Sequence, residues 1–171
     1  PMDIKAEEFL HKLQNKLPLP QATQVYVVFG EDDYYRSQIT AALPDYIYGD
    51  TDEADRQITV FEKDTDISAV SEAVNTYPFF SGQSLVVLKD DKLWSKGGEE
   101  ARQTVLDKLT ALVNDVPEYC TLLISAPKLD KRTKFYKALK KAALLCECAS
   151  IRPYELQPWL DAQAELYGAR F

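Results

Sequence analysis

Gly30, Glu31, Asp32, Asp33, Tyr34, Tyr35, Arg36 and Ser37 stand where the apolar run Val25 to Phe29 gives way to a helical pattern. In an α/β protein, the loop after the first strand is the place to look for bound phosphate. Laid over the phosphate loop G-x-x-x-x-G-K-S/T, Gly30 and Ser37 match, Arg36 takes the place of Lys, and Tyr35 replaces the second Gly. That loop works because small residues let backbone N–H groups close on the phosphates while Lys adds a point charge. Here Tyr35 is expected to obstruct the approach, and Glu31, Asp32 and Asp33 to repel a polyphosphate. Asp90 and Asp91 follow the run Leu85 to Leu88, as the carboxylates of a magnesium-holding strand would, but Lys89 intervenes. They read as a solvated strand end. The acidic stretch Asp45 to Asp55 lacks the Gly and closing Glu of a calcium loop. Cys120, Cys146 and Cys148 are odd in number and without zinc spacing, which makes them reduced core thiols. His11 falls on the polar side of the first helix with no Ser or Cys arrangement near it. No catalytic residue, cofactor-binding residue or metal site is assigned, so an enzyme reading lacks a nucleophile, a base and a cofactor loop.

Two other places carry binding chemistry. Tyr77, Pro78, Phe79, Phe80, Ser81 and Gly82 set adjacent phenylalanines in a Pro/Gly turn. Such a turn belongs at the surface, and large rings there need either a core to enter or a partner to grip. The alternatives at this point are a hot-spot pair and a plug, with Phe79 or Tyr77 packed under the turn. Lys128 to Lys141 holds seven basic residues against the single acid Asp130. This is a solvated helix face or a docking face for an acidic partner or for nucleic-acid phosphates, with Lys131, Arg132 and Lys134 the candidate contacts.

The elements that must position these residues follow from periodicity. Phe9, Leu10, Leu13 and Leu17 mark a first amphipathic helix stopped by Pro18 and Pro20. Val25 to Phe29, Ile58 to Phe61, Leu85 to Leu88, Thr121 to Ser125 and Leu144 to Cys148 read as five strands, most of them buried on both faces. Helices lie between them. One carries Tyr35, Ile39, Ala42 and Leu43 and is closed by Pro44; the next carries Ile67, Val70, Val74 and Tyr77. A third carries Ala101, Val105, Leu109, Leu112 and Val116 and ends at Pro117, and Lys131 to Lys141 forms a basic one with Phe135, Tyr136 and Leu139 inward. Ile151, Arg152 and Pro153 open a further helix with Leu156, Trp159, Leu160 and Tyr167 on one side. Strands alternating with helices call for a parallel sheet covered on both faces, an α/β three-layer domain. The expected organisation is one such domain over 1–150 and the truncated start of a second, helical one over 151–171.

A chain of 171 residues that is 46% hydrophobic can bury a full core. It has no run near the ~18 apolar residues of a membrane span and no signal-peptide core, so it is expected to be soluble and cytoplasmic, with no membrane partner. A net charge of −7 argues against a stand-alone nucleic-acid binder.

Three segments, Val25 to Gly30, Tyr77 to Lys89 and Lys128 to Lys140, resemble in order and spacing the delta subunit of the bacterial DNA polymerase III clamp loader, the third most specifically. The resemblance covers roughly Val25 to Trp159. It implies an AAA+-like domain, a degenerate P-loop NTPase without a working nucleotide site and without a cofactor. It further implies that the chain is the amino-terminal portion of a longer subunit, itself non-catalytic within a polymerase holoenzyme. In that family a residue pair at the end of the helix before the apolar strand enters a hydrophobic pocket of the sliding clamp, the beta subunit, and helps open the ring during DNA replication. Phe79 and Phe80, with Pro78 and Tyr77, stand at that place. Other loader subunits would be met through missing domains, and DNA only within the assembled complex. The alternatives are a P-loop-derived nucleotide-dependent enzyme with an atypical phosphate loop, or a nucleic-acid adaptor using the basic helix.

Overall fold

A computed structural model describes residues 2–20 and 23–149. The uninterrupted apolar runs become the centre of a sheet: β2 (Val25–Phe29), β4 (Ser84–Leu88) and β5 (Cys120–Ala126) are buried along almost their whole length. Strands buried on both faces need helices above and below, and the chain supplies α1 (Ala6–Gln14), α2 (Asp33–Tyr48), α3 (Ile67–Asn75), α4 (Glu99–Val113) and α5 (Lys134–Ala142). With β1 (Met2–Asp3), β3 (Gln57–Phe61) and β6 (Ala143–Glu147) the sheet runs β1-β6-β2-β5-β4-β3, every pair parallel. Val25 pairs with Leu122 on one side and Ala143 on the other.

The pleat then divides the core. Val27, Val86, Leu88, Leu122 and Ile124 face α3, α4 and α5 with Leu109, Phe135 and Leu139. Tyr26, Val28, Leu85, Val87 and Leu123 face α1 and α2 with Phe9, Leu13, Ile39 and Leu43. Each fully buried aliphatic or Phe side chain stabilises by about 1.5–3 kcal/mol, which is why these two layers, rather than helix propensity, fix the arrangement.

Several expected boundaries move. β1 is a sixth strand too short for any pattern; it adds to β6, and Ile4 N donates to Leu145 O at 2.9 Å. Leu17 lies beyond α1 and is exposed, because the helix ends at Gln14 and the chain turns through a positive φ at Lys16. Pro44 does not close α2, and Asp45 is helical rather than part of a loop. A proline inside a helix removes one backbone hydrogen bond. The last turn survives because tertiary contacts hold it: Tyr48 is buried with its hydroxyl 3.0 Å from both Gln57 O and Gln83 O. Arg56 pairs with Asp45 at 2.6 Å and reaches the carbonyls of Gly49 and Thr51 at 3.0 Å, closing the helix end with a cation. Tyr77 and Val116 fall outside their helices, and α4 stops at Val113, short of Pro117. Lys131 and Arg132 precede α5, whose cap is Thr133, its hydroxyl accepting from Tyr136 N at 3.1 Å. The helix expected from Ile151 lies outside the described residues, as do Leu156, Trp159, Leu160 and Tyr167.

Candidate functional site

At the carboxyl ends of the strands, the groups that a nucleotide site would use hold one another. Gly30 has φ of 146°, and a Cβ there would sit 2.0 Å from the Cys148 carbonyl oxygen. Only glycine allows that approach. Its N–H donates to Ala126 O at 3.0 Å, so it is not turned towards a ligand. Arg36 is buried and clasps Asp91 with two nitrogens, at 3.0 and 3.3 Å, while also reaching Ser125 Oγ at 3.2 Å. The residue in the place of the phosphate-loop Lys is thus neutralised by a carboxylate at the end of β4. Tyr35 does not stand over the loop as expected; its ring is buried in the layer with Ile39 and Leu43. What closes the loop is the Cys148 carbonyl and the Arg36–Asp91 pair.

Asp90 corrects a second expectation. It is buried, not solvated, and its Oδ2 accepts from Thr65 N at 3.1 Å and Thr65 Oγ1 at 2.8 Å, stapling the segment after β3 to the end of β4. Asp91 is half exposed. Among the described residues no group of three His, Cys, Asp or Glu is placed to hold a metal ion. All three cysteines are buried and free. The Cys146 and Cys148 sulfurs lie 4.0 Å apart; their hydrogen bond holds the Cys146 thiol protonated and lowers Cys148. Burial raises Cys120.

The opposite end of the sheet is built the other way. α3 is capped by Asp66, which accepts from Ser68 N at 2.9 Å, and it stops at Asn75. The chain then turns through Thr76 to Gln83 before entering β4. Pro78 is buried beneath the turn. The rings above it are not: Tyr77 is 70% exposed, Phe79 84% and Phe80 77%. The plug is therefore Pro78, not Phe79 or Tyr77. The turn backbone is nevertheless held. Phe79 N donates to Gln57 Oε1 at 3.3 Å, Ser81 Oγ to Gln83 O at 3.1 Å, and Gly82 takes φ of 72°. Tyr77 leans edge-on against Tyr119, ring centres 5.1 Å apart, and Tyr119 in turn donates to Asn75 O at 2.8 Å. The Phe79 and Phe80 rings diverge, 6.4 Å between centres.

The basic segment is divided in two. Lys131 pairs with Glu147 at 2.9 Å and lies over the Phe29 ring, and Arg132 is held by Asp130 through two bonds of 3.0 Å. The hydrogen bonds from Arg132 hold the Asp130 carboxyl at about 2. Lys134, Lys137, Lys140 and Lys141 are exposed on the outer face of α5, and among the described residues none has a carboxylate partner. Phe135 anchors the helix by stacking on Trp94 at 6.0 Å.

A family model described as DNA polymerase III, delta subunit, matches residues 26–149. The chain belongs to the DNA polymerase III delta-subunit family. The aromatic turn and the basic helix both lie within the family's matched interval. Among curated delta relatives, DNA polymerase III subunit delta of Bacillus subtilis (strain 168) is 27% identical over 138 residues, covering 77% of this chain and 39% of that protein. Among solved structures, the Bacillus subtilis DNA clamp loader delta protein matches with a TM-score of 0.75 at 21% identity, covering 95% of this chain and 48% of the other. A DNA polymerase III gamma subunit-related protein from Thermotoga maritima matches with a TM-score of 0.53 at 14% identity, covering 97% of this chain and 54% of that one. At these identities the structures establish the fold, the AAA+-like α/β architecture of the delta family. The chain spans less than half the length of the delta relatives it matches. Among the described residues no helix is long and apolar enough to cross a membrane.

Sequence reasoning did not find the Arg36–Asp91 clasp or the Asp90–Thr65 staple. These partners are 55 and 25 residues apart, and no local spacing announces them.

Proposed function

We propose that this chain is a clamp-binding module of a clamp loader, docking on the DNA polymerase sliding clamp, the beta subunit, through the turn Tyr77 to Gly82. Phe79 and Phe80 enter an apolar pocket of the clamp, while Pro78 and Tyr77 set their angle. The observation that carries this reading is the near-complete exposure of both phenylalanines on a backbone pinned by Gln57, Gln83 and Tyr119. Rings held in that way bury much area at little conformational cost and dominate hot spots. Membership of the delta family supports the choice of partner.

The module acts by differential affinity: a wedge that fits the open ring better than the closed one shifts the ring towards open. Two anchors of about 2 kcal/mol each fall short of the ~5.5 kcal/mol that would invert a 1:99 equilibrium. Other loader subunits supply the remainder. The AAA+-like unit over 1–150 has no working nucleotide site and is itself non-catalytic. Lys134, with Lys131 and Arg132 near it, faces another subunit or DNA within the assembled complex.

Calorimetry of the chain against the clamp of its own organism tests the reading, with Phe79→Ala and Phe80→Ala alongside. Binding that either substitution weakens tenfold or more supports the wedge. Binding indifferent to both rings removes it. Magnesium-ATP added to a thermal melt should leave the midpoint unchanged; a rise would restore the nucleotide-dependent reading.

A further inference from the structure

The two edges of the sheet differ. One ends in β1, only two residues long, below the basic helix. The other ends in β3, five residues paired in unbroken register from Gln57–Ser84 to Phe61–Leu88. Natural edge strands are blunted by lysines, prolines, bulges or short length, and Gln57, Ile58, Thr59, Val60 and Phe61 include none of these devices. Phe61 O accepts from Lys89 N at 2.9 Å, so Phe61 turns its polar groups towards β4. By alternation Ile58 and Val60 turn their N–H and C=O groups outward, where the sheet has no further strand among the described residues. The same two residues are the exposed ones, Ile58 at 36% and Val60 at 46%. Between them and α2 lies a hollow of about 330 Å³, apolar at Ala41, Pro44 and Val87 and polar where Arg36, Lys89 and Asp91 line it.

Charge selects the occupant. Residues 50–66, which flank and include β3, carry seven acids against two bases. Asp50, Asp52, Glu53 and Asp55 on the approach to the strand have no ion-pair partner among the described residues.

We propose that the β3 edge is a strand-addition site for an extended, lysine- or arginine-flanked segment of a partner protein. Its backbone would pair with Ile58 and Val60, an alternate apolar side chain would enter the hollow beside Ala41, Pro44 and Val87, and its basic ends would meet the Asp50–Asp55 carboxylates at one end of β3 and Glu62 and Asp64 at the other. This recognition mode takes affinity from main-chain bonds and specificity from alternate side chains. It does not use Phe79 or Phe80 and stands apart from clamp binding.

The test titrates the isotopically labelled full chain with a synthetic peptide in which Val alternates with Thr between pairs of Lys, reading amide hydrogen exchange residue by residue. Exchange of the Ile58 and Val60 amides should slow at least tenfold. The same peptide flanked by Glu, or N-methylated at alternate residues, should bind at least tenfold more weakly, as should the Lys-flanked peptide to Val60→Lys; the peptide controls need no change to the protein. Any of four results overturns the proposal. The two amides remain unprotected at millimolar peptide, the N-methylated or Glu-flanked peptide binds equally well, the amides are already protected in the free chain, or they become protected through a concentration-dependent dimer. In the last case the occupant is a second copy.

Discussion

The turn after β2 and the turn before β4 lie at opposite ends of the same sheet and use their residues in opposite ways. At the first, the glycine and the cation are turned inward, Gly30 against the Cys148 carbonyl and Arg36 onto Asp91 and Ser125, while Glu31, Asp33 and Ser37 stay exposed. At the second, the small residue Pro78 is buried and the large rings are left in water. An α/β scaffold can thus keep the outline of a phosphate loop while pairing its cation with its own carboxylate, and leave its largest exposed rings at the other end of the sheet. Partners, not motif letters, decide what such residues can do.

The largest effect expected from breaking this contrast is at Gly30. A Cβ there overlaps the Cys148 carbonyl, which must move along with the strand ends, and Gly30→Ala should cost about 3 kcal/mol or more in urea unfolding. Gly82→Ala, at the open end, meets nothing within 4 Å and bears only the positive-φ cost, about 1 kcal/mol. Equal losses would erase the distinction between a closed and an open end.

Next comes an asymmetry within the clasp. Asp91→Ala strands a buried guanidinium and should cost about 3 kcal/mol, whereas Arg36→Met leaves a carboxylate 52% exposed that water can solvate, and should cost clearly less. The reverse order, measured by denaturation of both variants, would mean that Arg36 has a route to solvent.

Smaller for the fold, and decisive for the proposed clamp binding, are Phe79→Ala and Phe80→Ala. Each should change unfolding stability by no more than about 0.5 kcal/mol, because the rings touch little, while costing about 2 kcal/mol in clamp affinity. A ring whose loss destabilises the fold is part of the core, not a free anchor.

The least effect is a pH dependence at the closed end. Asp130 is held at about 2 by Arg132, below the ~3.9 of an unfolded Asp. Its contribution is therefore complete above the unfolded value and is lost as pH falls towards 2. Both side chains are exposed, so the change is small, and Asp130→Asn should flatten the melting midpoint slightly between pH 4 and pH 2 (about these limits).

The alternation of strands and helices, the buried runs and the exposed turn were legible because they are local patterns. Val25 to Phe29 has no polar residue to put on a wet face, and Phe79-Phe80 sits between Pro78 and Gly82. What escaped was set at a distance. Pro44 lies inside a helix because Tyr48 and Arg56 secure the turn beyond it, and the pairing of Asp91 with Arg36 depends on two strand ends meeting. Of the three basic residues singled out, Lys131 and Arg132 have acidic partners at Glu147 and Asp130. The first is invisible in sequence, and the second lies two residues away.

The buried thiols give the molecule a clock at each end. Cys120 begins β5 directly after Tyr119, against which Tyr77 leans, and Cys146 and Cys148 lie at the end where the Cys148 carbonyl meets Gly30. A thiol reagent can label either set only when that end opens. Two labelling rates, read from one chain by mass, therefore time the opening of the ring-bearing end and of the clasped end separately.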